Sequence, residues 1–262
     1  LGKFEWKANG LLIQKNTSSI SWKGKLTLLK IRSGKLGNWS LANPSLLNFS
    51  NQKINLTSFC LNEANRRGKI CANGAWQTQT QAIRGRLQIS LNNLRHLQPF
   101  LPRIMQLSSG KLNANFAISG HIQNPRVSGS AKLLNGKLTL PTYGITLTGT
   151  TITIQARGQQ LYYQAKALTG GKPVTIKGTT HLASGFSTTL SVQGNNLLLA
   201  KTPEYTIYAS PDIKVSIQKQ HVTVDGRVLI PKALIEPSDF RNVVTLQTNE
   251  VEIIGRNLPK PE

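Results

Sequence analysis

Residues 111–119 read KLNANFAIS, and this stretch shows the pattern that decides the fold. Polar residues such as Asn113 alternate with four apolar ones: Leu112, Ala114, Phe116 and Ile118. In a β-strand this spacing places all four apolar side chains on one face and the polar ones on the other. The stretch therefore predicts a strand that covers a core on one side and meets water on the other.

The same alternation continues to residue 230 and is typical of an all-β protein. The aligned apolar residues are Ile152, Ile154, Ala156, Val174, Ile176, Leu190, Val192, Tyr205, Ile207, Ala209, Ile213, Val215, Ile217, Val222, Val224, Val228 and Ile230. Turn signals separate these strands at Asn135-Gly136, Arg157-Gly158, Gly170-Gly171 and Gly194-Asn195. Asp225-Gly226 predicts a bulge or bend rather than a reversal, because apolar alternation resumes directly after it. Less regular strands of the same kind precede residue 90.

One segment has helical spacing instead. Leucines at 91, 94, 97 and 101 recur every three to four residues behind Ser90, which predicts a short helix near 91–98 capped by that serine. Pro99 and Pro102 restrict its length. We expect this helix to cover part of the core.

So many strands raise the question of what covers their apolar faces. At about 10 to 13 residues per strand and turn the chain holds about 20 strands, which would form a flat sheet about 90 Å long. One short helix is too small to cover such a sheet. The apolar faces must therefore meet each other in a sandwich, a closed barrel or a folded trough, and a trough left partly open is a hydrophobic groove.

The charge distribution excludes most catalytic chemistry. The net charge is +22, and residues 64–203 contain no Asp or Glu but sixteen Lys and Arg. General acid/base pairs, glycosidase carboxylates and Mg²⁺ or Ca²⁺ sites all need carboxylates. Nucleotide-binding, esterase and metalloprotease motifs are also missing, and the four histidines lie far apart in sequence. The sequence predicts neither an enzyme nor a site for a metal or cofactor.

The basic residues do not form a nucleic-acid module. They stand mostly alone at intervals of 5 to 20 residues, and only 6% of the residues are aromatic. Single-strand recognition needs exposed aromatic rings among the cations, so we expect a solvated polar face and no nucleic-acid partner. The sequence also lacks an apolar run of the roughly 20 residues needed to span a bilayer as a helix.

Cys60 and Cys71 are the two cysteines of the chain. They flank a polar, glycine-containing turn, which favours a disulfide across a hairpin and hence a compartment outside a reducing cytosol. Two buried free thiols are the alternative.

Three sequence features together resemble the TamB family, the translocation and assembly module within the AsmA-like superfamily. LLLAKTPEYTIYASPDIKV at 197–215 is followed by VDGRV at 224–228 and IPKALIEP at 230–237. Further upstream, the FCL and ICANGAW segments around the cysteines resemble the paired-cysteine region of that family. LNNLRHLQPFLP at 91–102, with the strand after it, resembles its short helical link into the next sheet. The resemblance covers residues 55–255 at varying strength.

The resemblance implies an elongated, curved, U-shaped (taco-like) β-sheet with an apolar groove. We therefore divide the chain into residues 1–107, a β segment with the cysteine hairpin and the helical link, and residues 108–262, a continuous β-sheet trough. The family implies a periplasmic piece of a longer protein that is anchored in the inner membrane of a diderm bacterium and reaches membranes at both ends. Its implied partners are phospholipid acyl chains and an outer-membrane barrel of the Omp85 type, similar to TamA.

The function implied is phospholipid transport between the two membranes together with outer-membrane protein assembly. In that reading acyl chains rest on the inward residues of the groove. The expected groove residues are Phe116, Ile118, Ile152, Ile154, Ile176, Leu190, Val192, Ile207, Val215, Ile217, Val222 and Val224. Three alternatives remain: these residues form a closed sandwich core, the sheet edges bind outer-membrane protein strands by β-augmentation, or the basic face binds an anionic polymer.

Overall fold

The computed structural model describes residues 2–16, 19–65, 67–183, 186–218 and 221–236. These residues form one large antiparallel β-sheet of sixteen strands and two short 3₁₀ helices, which confirms the predicted all-β class. The strands are β1 (Lys3–Asn16), β2 (Ser19–Ser33), β3 (Gly37–Leu41), β4 (Ser45–Ser50), β5 (Lys53–Glu63), β6 (Gly68–Gln77), β7 (Ala82–Leu91), β8 (Gln106–His121), β9 (Asn124–Leu140), β10 (Ile145–Gly158), β11 (Gln160–Thr169), β12 (Lys172–His181), β13 (Ser187–Gly194), β14 (Leu197–Lys201), β15 (Tyr205–Gln218) and β16 (His221–Ile235).

Neighbours in sequence are mostly neighbours in the sheet. From β5 to β12 each strand pairs with the one before it and the one after it, which is the simplest antiparallel meander. Two short strands depart from this order. β4 lies beside β3 and pairs with β2 and β5. β14 pairs with residues 206–209 near the start of β15, whereas β13 pairs with residues 212–218 of the same strand. The strand pairing runs without a break across residue 107, and the division of the chain there stays a prediction.

The helix predicted near 91–98 is displaced and of a different type. Leu91 still belongs to β7, where it lies opposite Leu112, and a 3₁₀ helix spans Leu94–Phe100. The predicted Ser90 cap is wrong, because Ser90 is a strand residue whose hydroxyl bonds Asn113 across the sheet. The Asn93 side chain caps the helix instead, by accepting a hydrogen bond from the backbone N–H of Arg95 at 3.2 Å.

Three of the four predicted turns fall at strand ends. Arg157-Gly158 ends β10, Gly194-Asn195 lies at the end of β13, and Gly170-Gly171 lies between β11 and β12. The turn predicted at Asn135-Gly136 is absent. Both residues lie inside β9, where Asn135 has φ of 51° and the pairing register with β10 shifts. The pair therefore forms an irregularity within a long strand. Asp225-Gly226 also lies inside a strand, and β16 continues through it as predicted.

The disulfide is present. Cys60 and Cys71 lie directly opposite each other on β5 and β6, with Cα atoms 4.1 Å apart, and their sulfur atoms are bonded. Free thiols are thereby ruled out at these positions.

Candidate functional site

Strand register shows which side chains share a face of the sheet. Directly opposite residues of antiparallel strands project from the same face, so pairs can be followed from strand to strand. One such row crosses nine strands from β7 to β16, omitting β14. It consists of Ile89, Ala114, Ala131, Ile154, Tyr163, Gly178, Leu190, Val215 and Val224. We call the face that carries this row the apolar face.

Two parallel rows on the same face carry more of the expected groove residues. The first contains Leu87, Phe116, Gly129, Ala156, Leu161, Thr180, Thr188, Ile217 and Val222. The second contains Leu91, Leu112, Leu133, Ile152, Ala165, Ile176, Val192 and Ile213. Ile118 lies opposite Val127 in a fourth row, and Ile207 lies an even number of residues before Ile213 on β15. The twelve residues thus lie on one face, although their contact with lipid stays a prediction.

The opposite face, here called the polar face, is hydrophilic and basic. One row on it reads Lys69, Ser90, Asn113, Lys132, Thr153, Gln164, Lys177, Ser191, Lys214 and Asp225. Cys71 lies opposite Gln88 and so places the disulfide on this face as well. The sheet is therefore amphipathic over most of its width, with the lysines and arginines kept away from the apolar side.

The apolar face is covered at one end of the strands. The first 3₁₀ helix lies over it there, and Leu94 is fully buried in a cluster with Trp39, Leu91, Leu107 and Leu133. Farther along the sheet, β14 approaches β10, β11 and β12 at the same end, and Leu197 is 1% exposed. The Thr169 hydroxyl fixes this short strand by donating to the carbonyl oxygen of Leu198 at 2.5 Å.

Away from this end, part of the apolar face is concave and open. A cavity of about 510 Å³ lies over β5 to β9 and is lined almost entirely by apolar groups. Its main side chains are Ile54, Trp76, Ile83, Leu87, Phe116 and Ile118. Only Phe116 and Ile118 belong to the expected groove residues. The sequence pattern did not predict the other four because the strands before residue 90 alternate less regularly. ICANGAW and RGRLQIS nevertheless carry apolar residues or glycine at every second position.

The two outermost strands expose apolar side chains most strongly. On β16 the side chains of Val222 and Val224 are 63% and 62% exposed, and on β1 Phe4, Trp6 and Leu12 are similarly open. Large apolar patches of this kind mark binding surfaces in soluble proteins.

One carboxylate lies on the apolar face. Glu63 ends β5 opposite Trp39 and is only 6% exposed, and its Oε1 is 2.6 Å from Nε2 of His96 on the first 3₁₀ helix. Its Oε2 is buried without a hydrogen-bond partner. The ring of His96 also packs edge to face against the ring of Trp39, with ring centroids 5.9 Å apart. This hydrogen-bonded pair thus joins the 3₁₀ helix to the sheet. The sequence did not indicate the contact because the two residues lie 33 positions apart.

Within the described ranges there is no cluster of three or more His, Cys, Asp or Glu side chains that could hold a metal ion. Likewise, the described part of the chain contains no helix with the length and apolarity required to span a membrane.

Comparison with known protein families finds a match in the C-terminal part of the chain. Residues 159–262 match the family model of the TamB C-terminal domain. The match includes β11 to β16, and with them the segments at 197–237 on which the sequence resemblance rests. The resemblance of residues 55–158 stays a prediction. No solved structure matches the chain.

Proposed function

We propose that this chain is a member of the TamB family, a family of envelope transport and assembly proteins in diderm bacteria, and that its apolar face carries phospholipid acyl chains. The family assignment rests on residues 159–262, which match the family model of the TamB C-terminal domain. The sheet would act as part of a hydrophobic conduit between the inner and outer membranes. The full-length protein would be anchored in the inner membrane and reach an outer-membrane barrel of the Omp85 type, similar to TamA. No catalytic step is needed, since an acyl chain only has to lie against an apolar surface.

The observation that carries this proposal is the length of the apolar face. Its rows run from β7 to β16 at about 4.8 Å per strand, while the 3₁₀ helix at Leu94–Phe100 and β14 cover only one end of the strands. Side chains such as Phe116, Leu190 and Val215 are consequently only half-buried. An acyl chain lying along a row would bury them without requiring any hydrogen bond from the protein.

The curvature of the sheet enters the proposal as well. The concave cavity over β5 to β9 has a volume of about 510 Å³ and an apolar lining that suits part of a lipid tail, and we propose that similar curvature continues into a U-shaped trough. The disulfide supports a periplasmic location, because such bonds persist in oxidising compartments.

Site-specific photo-crosslinking tests the conduit directly. A photoreactive amino acid is placed at Phe116 or Val192 on the apolar face, and at the adjacent Asn115 or Ser191 on the polar face as matched controls. After irradiation in cells, mass spectrometry should find phospholipid joined to the protein only for the apolar positions. Equal lipid capture at both faces, or none at the apolar positions, would refute the proposal.

A second candidate function is a scaffold that binds outer-membrane protein strands by β-augmentation. The observation in its favour is that β1 and β16 each pair with described strands along one edge only. Since backbone hydrogen bonds would hold the bound strand, proline at Val222 or at Thr223 should abolish capture of a β-hairpin peptide. Threonine at Val222 and Val224 should not. The reverse pattern would favour the conduit.

A further inference from the structure

The polar face has a concave site of its own. A cavity of about 590 Å³ lies over β10 to β15, on the side of the sheet opposite the proposed lipid surface. Its principal side chains are Gln155, Tyr162, Gln164, Lys177, Ser191 and Lys214. A volume of this size is within the range of small-molecule sites.

The register fixes how the cationic groups are arranged. Gln164, Lys177, Ser191 and Lys214 lie directly opposite one another on consecutive paired strands. The two lysines are therefore two strands apart, or about 10 Å at the backbone. Both side chains are exposed and long enough to converge on one anionic group between them.

Hydrogen-bonding groups surround the lysines, and no carboxylate from the described residues lines the cavity. The other lining side chains include threonine and serine hydroxyls and glutamine amides. The nearest acids lie toward the edge of the sheet: Asp212 accepts a hydrogen bond from the Gln193 amide at 3.0 Å, and Asp225 lies opposite Lys214 on β16. The site is therefore rich in donors and suits a ligand that carries negative charge together with many hydroxyl groups.

Tyr162 adds a flat surface to the site. Its side chain is 39% exposed, and its hydroxyl group donates to the Gln160 amide oxygen, which holds the ring in place. An aromatic ring with one open face offers a platform for the apolar faces of a sugar ring. Lipid tails have no comparable surface here, because the large aliphatic side chains project from the other face.

We propose that this cavity binds an anionic saccharide, a phosphorylated or carboxylated sugar, with Lys177 and Lys214 contacting the charged group and Tyr162 contacting a sugar ring. The site is independent of acyl-chain binding, because it lies on the opposite face of the sheet. It gives the basic, acid-free middle of the chain a specific ligand in place of a general attraction to anions.

Calorimetry and saturation-transfer NMR with trehalose 6-phosphate as the probe test this site. The phosphorylated disaccharide should bind at least tenfold more tightly than inorganic phosphate, and unmodified trehalose should not bind measurably. Replacing Lys177→Gln together with Lys214→Gln should weaken binding of the probe at least tenfold. Tyr162→Ser should reduce the affinity toward that of inorganic phosphate.

Lys69→Gln with Lys111→Gln is the matched control, because it removes the same charge from exposed positions outside the cavity. Binding of the probe should change less than twofold in this variant. An equal loss in both double variants would reduce the effect to general charge attraction and overturn the proposal. So would probe affinity no better than that of inorganic phosphate, or no binding of the probe at all.

Discussion

Two regions of the apolar face differ in exposure: Leu94 of the 3₁₀ helix packs against a covered region, whereas Val224 projects from an open one. Leu94 sits at 0% exposure over the inner strands, packed among Trp39, Leu91 and Leu133, whereas Val224 is 62% exposed on the outermost described strand. Val224 opposes Val215, just as Leu112 opposes Leu91 in the covered region. The strand pairing and the alternation of apolar residues are therefore the same in both regions, but the first region forms a packed core and the second an open surface.

The difference comes from what lies over the sheet. The 3₁₀ helix, which the His96–Glu63 hydrogen bond joins to the sheet, covers the first region, and β14 covers part of the strand ends farther along. β16 has no such covering element among the described residues. We infer that the covered regions supply most of the stability, and the open surface is the one to which the proposed function assigns lipid binding.

The largest expected effect is on the covered region. Leu94→Ala removes a fully buried side chain and should lower the free energy of unfolding by about 3 kcal/mol. Val224→Ala, the matched change on the open surface, should cost less than about 0.5 kcal/mol. Urea unfolding followed by tryptophan fluorescence measures both. Similar losses for the two variants would remove the distinction between the regions.

Removal of the disulfide should have the next largest effect. Cys60→Ser with Cys71→Ser opens a loop closed across eleven residues of sequence, which should lower stability by about 2 to 3 kcal/mol through greater freedom of the unfolded chain. Since the bond lies on the polar face, lipid crosslinking at Phe116 should persist under conditions in which the variant stays folded. The wild-type protein unfolded in reducing agent is the control.

Loss of the His96–Glu63 hydrogen bond should lower stability by a smaller amount. His96→Ala leaves the Glu63 carboxylate buried without a partner and should cost about 2 kcal/mol. Glu63→Leu combined with His96→Leu should recover part of this loss, because no buried charge then remains unpaired. Urea unfolding of the two variants measures this difference in stability. A double variant less stable than His96→Ala would contradict this account of the contact between the 3₁₀ helix and the sheet.

The smallest expected change in stability accompanies a clear change in binding. Val222→Thr with Val224→Thr keeps two β-branched residues on β16 and should alter the free energy of unfolding by less than about 0.5 kcal/mol. On the proposed function, lipid captured by a photoreactive residue at Val215 should nevertheless fall several-fold. Unchanged capture would place the lipid path elsewhere on the face.

The sequence predicted much of this arrangement because strand alternation is a local property. Spacing alone could assign Phe116, Ile154 and Val215 each to the apolar side of its own strand, and the turn between the cysteines favoured their pairing. The 3₁₀ helix was misplaced because Leu91 fits either a helical or a strand pattern until its partner Leu112 is known. Asn135-Gly136 was mistaken for a turn, since only pairing with β8 and β10 shows that the strand continues.

By itself, the amino-acid sequence determined the all-β class, the separation of apolar from basic side chains, the disulfide and the family resemblance. Each of these depends on neighbours within a strand, a hairpin or a continuous motif. The tertiary structure decided which strands pair, which part of the apolar face is covered, that Glu63 meets His96, and that Lys177 and Lys214 share a cavity. These features arise from residues distant in sequence, whose meeting depends on the register and packing of the whole sheet.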